Sequence, residues 1–151
     1  MKKSGNKNII KLRNRDLKEI PPEVFQNQET TTLDVSGNQI EVIPKEISQL
    51  KNVKKLILSH NNISRLPEEM AELSELREIV LSHNKLEDFP KVLLKLKKLK
   101  LICLNSNYIT QIPVDLPSKL PALKHLYLKH NVRLPKIIET LSIKEIGRAH
   151  V

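Results

Sequence analysis

Apolar positions in this chain follow neither a helical nor a strand period over any long stretch; they follow both in turn. Leu56-x-Leu58, Ile79-x-Leu81 and Ile102-x-Leu104 alternate with period two, which predicts short strands with one buried face. Each is followed three residues later by Asn61, Asn84 or Asn107, and then by Ile63, Leu86 or Ile109. A proline comes next, Pro67, Pro90 or Pro113, which fixes a backbone turn and redirects the chain. Apolar residues then recur every third position, as in Met70, Leu73 and Leu76 or Leu93, Leu96 and Leu99. A spacing of three suits a 3₁₀ or short helical return.

The whole pattern repeats. Asn38, Asn61, Asn84 and Asn107 stand 23 residues apart, and Asn131 follows after 24. Pro44, Pro67, Pro90 and Pro113 keep the same step of 23. An earlier copy contains Ile10, Leu12, Leu17, Ile20, Pro21 and Val24, but Arg15 takes the asparagine place. A charged residue is reasonable at the open end of a ladder, where solvent lies beyond. A sixth copy contains Leu123, Leu126, Leu128 and Asn131, then loses two residues before Pro135; Ile138 and Leu141 resume the register. One unit cannot bury its apolar edge alone, so stacking builds a continuous core. The asparagine amide both donates and accepts, and repeating it builds a ladder along the stack.

The template L-x-x-L-x-L-x-x-N-x-L-x-x-L-P resembles the leucine-rich repeat, over roughly residues 7 to 144. The 23-residue unit with Leu-Pro is most similar to the intracellular, Ras-associated group. The resemblance implies an α/β solenoid: a horseshoe with a parallel sheet on its concave face and 3₁₀ or short helical segments on its convex face. It also implies binding of proteins, with small GTPases, phosphatases and signalling assemblies among the partners of the group.

Composition adds limits. The chain has no Trp, two Phe and two Tyr in 151 residues, so a core of stacked aliphatic layers is expected. One cysteine, Cys103, cannot form an internal disulfide, which fits a reducing, cytoplasmic compartment. The basic start "MKKSGNKNII" lacks the apolar stretch of a secretory signal. No apolar run approaches the ~20 residues of a membrane helix. The ending "IGRAHV" shares nothing with the template and reads as the translation of a common sequencing-library adapter. Residues 1–145 are therefore taken as the repeat domain, without a complete C-terminal cap, and 146–151 as a non-native tail. A fragment of a longer protein is expected.

The register sorts side chains into columns. The middle concave column reads Lys11, Asp34, Ile57, Val80, Cys103, Tyr127, and the preceding outward column reads Ile9, Thr32, Lys55, Glu78, Leu101, His125. Ile57, Val80, Leu101, Cys103 and Tyr127 predict an exposed apolar strip, with Asp34, Lys55, Glu78 and His125 at its margins. Such strips mark binding sites, although β-branched residues also simply suit strand surfaces. On the convex side Glu68, Glu72 and Glu75 lie 23 residues before Lys91, Lys95 and Lys98, a cross-repeat charge ladder of structural kind. Lys54, Arg77, Lys100 and Lys124 form a basic row. It suits an acidic partner or serves as a solvated face.

Chemistry finds no foothold. His60, His83 and His130 share the position before asparagine, but Ser106 interrupts the column, and zinc wants about four ligands. Ser36, Ser59 and Ser82 adjoin Gly37, His60 and His83 in sequence, which is the wrong geometry for a nucleophile and its base. No phosphate-binding glycine loop, H-E-x-x-H or C-x-x-C is present. The sequence predicts a non-catalytic monomer without cofactors that binds a protein partner across the concave sheet, as a signalling scaffold. Nucleic acid and membrane insertion are not expected. The alternative is the targeting portion of a larger repeat-containing enzyme or receptor.

Overall fold

A computed structural model describes residues 8–135; the resumed register at Ile138 and Leu141 and the tail at 146–151 lie outside the described residues. Six three-residue strands form one parallel sheet in chain order: β1 (Ile9–Lys11), β2 (Thr32–Asp34), β3 (Lys55–Ile57), β4 (Glu78–Val80), β5 (Leu101–Cys103) and β6 (His125–Tyr127). Each strand pairs with the one a period away, so Leu33 faces Leu56, Leu56 faces Ile79, and Ile79 faces Ile102. Between β5 and β6 the step is one residue longer, and Ile102 faces Leu126.

The spacing of three after each proline becomes 3₁₀ geometry. Pro22–Gln26, Lys45–Gln49, Glu68–Glu72 and Lys91–Lys95 are 3₁₀ turns. Their hydrogen bonds chain along the apolar positions: Met70 donates to Pro67, Leu73 to Met70, and Leu76 to Leu73. In the fifth copy the apolar spacing is Leu116, Leu120, Leu123. The extra residue changes one link from i→i+3 to i→i+4, with Leu120 donating to Leu116. That copy therefore carries a short α-helix, α1 (Leu116–Lys119), where the others carry 3₁₀ turns.

The core lies between the sheet and these turns. Ile10, Leu33, Leu56, Ile79 and Ile102 are fully buried, as are Ile47, Met70, Leu93 and Leu116 on the opposite wall. Both phenylalanines, Phe25 and Phe89, are buried with them. Each such side chain contributes roughly 1.5–3 kcal/mol by leaving water. The sheet column ends at Leu126, which is only partly buried because it has a neighbouring strand on one side among the described residues.

Candidate functional site on the concave sheet face

The edge of the sheet where the strands end is built by the asparagines. Asn84 is buried. Its Oδ1 accepts from Ile63 N at 2.9 Å, and its Nδ2 donates to Leu58 O at 3.0 Å and Leu81 O at 3.1 Å. Asn61 and Asn107 repeat this one copy earlier and later, accepting from Ile40 N and Leu86 N. Each interior carbonyl is shared by two asparagines: Leu58 O accepts from Asn61 and Asn84, Leu81 O from Asn84 and Asn107. The ladder is thus continuous from Asn38 to Asn131, whose Nδ2 reaches back to Leu104 O at 3.0 Å. Every asparagine bonds to its own copy and to the copy before it. Among the described residues no strand precedes β1 for Arg15 to bond to, and its own N–H donates to Asn38 Oδ1 at 2.9 Å.

The position before each asparagine, and before Arg15 in the first copy, has a left-handed backbone: φ is 54° at Asn14, 69° at Gly37, 55° at His60 and His83, 58° at Ser106 and 62° at His130. Asn, His and Gly are the residues that accept this conformation most readily. The backbone thus gives a conformational reason for the histidines at this place. It also places the His60 and His83 rings face to face, with centroids 4.1 Å apart. Gly37 is needed for a second reason, since an added Cβ would overlap the Asn14 side-chain amide.

On the sheet face the two outward columns run in strict register, Lys55–Glu78–Leu101–His125 beside Ile57–Val80–Cys103–Tyr127. Ile57, Val80, Leu101 and Cys103 are half-buried, and Tyr127 is 42% exposed. The His125 and Tyr127 rings are parallel, centroids 6.0 Å apart. Lys55 and Glu78 are cross-strand neighbours with Nζ and Oε1 3.9 Å apart. Asp34 holds its place in the column but not on the surface. It is only 4% exposed, and its Oδ1 accepts from Ser36 N and Oγ, at 3.0 and 2.6 Å. The Arg13 guanidinium lies over its Oδ2 at 3.6 Å. The serine two residues on was the available signal: a short hydroxyl can fold a carboxylate back onto its own turn.

Of the three convex charge rungs, Lys98–Glu75 closes, at 2.7 Å; Glu68–Lys91 and Glu72–Lys95 form no ion pair among the described residues. The hydrogen bond and charge of Lys98 hold the Glu75 carboxyl below its usual range, with smaller help from Arg77 and Lys54. A concavity of about 950 Å³ lies away from the sheet, where Asp88 and Phe89 face Ile112, Pro113 and Val114. It is a shallow gap between successive turns. Among the described residues no three His, Cys, Asp or Glu converge as a metal site. No helix among them is long and apolar enough to cross a membrane.

A parallel sheet of stacked short strands, 3₁₀ turns behind it and a buried asparagine ladder at one edge together define a solenoid of near-identical copies. The chain belongs to the leucine-rich repeat family, whose model matches residues 8–63, 28–86, 51–109 and 74–132. A solved leucine-rich repeat protein of Leptospira interrogans is similar in structure, with 29% sequence identity and a TM-score of 0.65. The match covers 80% of this chain and 36% of that one, so this chain spans about a third of its relative's length. No curated protein matches. Leucine-rich repeats generally mediate protein–protein interaction.

Proposed function

We propose that this chain is a non-catalytic binding module that takes a protein partner on the concave sheet, with residues 1–145 as the binding unit. The observation that carries the reading is the continuous row Ile57, Val80, Cys103, Tyr127, joined by Leu101, which keeps partial exposure on the sheet face, rising to 42% at Tyr127, although 34 other apolar residues among those described pack into the core. Contiguous apolar surface with polar margins is what a protein partner covers. Lys55, Glu78 and His125 are those margins. The face is broad and open rather than pocketed, which suits a macromolecule better than a small ligand. The module works as a monomer in the cytoplasm, as a scaffold in signalling. The test is affinity capture with the intact chain against Val80→Asp and Tyr127→Ala, with circular dichroism on each. Loss of the same partners from both variants, with spectra unchanged, is expected. Partners retained by both would place the site elsewhere.

A further inference from the structure

Charge is segregated along the stack. Residues 8–90 contain 11 Lys and Arg against 14 Asp and Glu, whereas residues 91–135 contain nine against one, Asp115. Asp115 begins α1, across the core from the sheet, and does not offset cations on the sheet side.

The sheet face and the ends of its strands show what this imbalance leaves uncovered. Its carboxylates are matched internally: Asp34 lies under Arg13 and Glu78 beside Lys55. Toward the end of the described stack, among the described residues, the matching stops. Lys100 and Lys124 are exposed at the leading edges of β5 and β6, and the N–H of Lys124 donates to the carbonyl of Lys100 at 2.9 Å, so the two stand on adjacent rungs. Lys129, also exposed, lies in the turn two residues beyond Tyr127, past the end of β6. None of the three has an acidic partner within ion-pair distance among the described residues. Like charges on neighbouring strands destabilise a sheet. Elsewhere in the basic row the strain is eased, because Glu75 sits near Arg77 and Lys54.

We infer that the concave face of the last two described copies, with the two ends of its strands, binds an acidic, partly apolar polypeptide segment, its apolar side chains against Leu101, Cys103 and Tyr127 and its carboxylates against Lys100 and Lys124 at the leading ends and Lys129 in the turn beyond. This rests on the reading of the concave face as the binding surface and adds the partner's chemistry. Charge complementarity selects the anionic component. The apolar half of the patch favours a polypeptide over a nucleic acid, because Leu101 and Cys103 match apolar side chains and Tyr127 with His125 is the one aromatic pair there among the described residues, not the succession of stacking platforms that single strands use. Tyr127, the exposed aromatic at the centre, is the residue type that dominates interface energetics.

The experiment selects peptides from a random displayed library on the intact chain, and measures the winners as synthetic peptides at low and high salt. The proposal expects winners rich in Asp and Glu with interspersed apolar residues, weakening as salt rises. Lys100→Glu with Lys124→Glu should weaken them by about tenfold or more, as charge reversal does at electrostatically matched interfaces. The milder Lys100→Gln with Lys124→Gln should give the same direction with the fold undisturbed. Neutral apolar winners, lost with Tyr127→Ala but unmoved by the lysine changes, would overturn the proposal and leave the concave reading standing. Winners indifferent to Tyr127→Ala, Val80→Asp and the lysine changes would remove both. Absence of any winner, together with lysine-dependent retention on a single-stranded oligonucleotide or on anionic phospholipid vesicles, would assign the cations to a different partner and overturn the proposal. So would absence of any winner and of such retention.

Discussion

The asparagine edge and the sheet face run side by side along the same six strands, yet they obey opposite rules. At the edge every copy after the first spends the same residue on the same bonds, buried and shared between neighbours. On the face each copy offers something different: Asp34 folded into its own turn, then Lys55 with Ile57, Glu78 with Val80, Leu101 with Cys103, His125 with Tyr127. The difference separates what holds the copies together from what a partner would read. Sameness at the edge is required because each amide serves two copies. Variety on the face is permitted because those side chains protrude from strands already fixed by backbone pairing.

The sharpest way to break this contrast is to exchange the treatment of the two regions. Asn84→Ala orphans the buried Ile63 N–H and thins the bonding at Leu58 O and Leu81 O. An unsatisfied buried donor with lost acceptor partners should cost about 3 kcal/mol. Tyr127→Ala should cost less than about 0.5 kcal/mol, as surface substitutions do. Urea melts of the two variants check both figures; equal losses would erase the distinction between edge and face.

A smaller effect is expected where the edge is tightest. Gly37→Val places a branched side chain at φ 69° and against the Asn14 amide. It should cost about 2 kcal/mol, read as a lower thermal midpoint. Ser106→Gly sits at the same template position with φ 58° and should stabilise by about 0.5 kcal/mol, since glycine carries no penalty there. Opposite signs at one template position would confirm that backbone conformation governs it.

The smallest effect belongs to the convex side. The Glu75 carboxyl is depressed below its ordinary value of 4.5 by Lys98. A depressed carboxylate contributes stability above the unfolded value, and that contribution fades as pH falls through the folded value. Lys98→Ala should therefore lower stability slightly at neutral pH and by progressively less below pH 4.5. The acid limb of a stability-against-pH curve would show the two proteins converging.

Much of this was legible before any coordinates, because period and residue type are properties of sequence. The strand register, the prolines and the asparagines all follow from the 23-residue step. The left-handed backbone before each asparagine was written in Gly37, His60, His83 and His130, but a histidine column invites a chemical reading before a conformational one. The spacing Leu116, Leu120, Leu123 carried α1, yet a single extra residue is easily taken as loop slack. The folding-back of Asp34 depended on where Ser36 and Arg13 settle around it, which column position alone does not specify. The convex charge ladder closed at one rung of three for a related reason: exposed side chains gain little from pairing and are free to remain apart.

The asparagine ladder also gives the stack a direction in time. Each amide looks backward, to carbonyls of its own copy and the one already laid down, and Asn38 looks back to Leu12. During synthesis a newly emerged copy meets its partners already in place, and can dock as soon as its asparagine leaves the ribosome. Removal of the first copy would take from Asn38 the donors Arg15 and Leu17 and the acceptor Leu12 together, while removal of the last would take the acceptor of the Ile109 N–H but leave every remaining ladder asparagine with its amide bonds intact. The chain is built like a wall whose courses can be added at one end, and whose footing is the end made first.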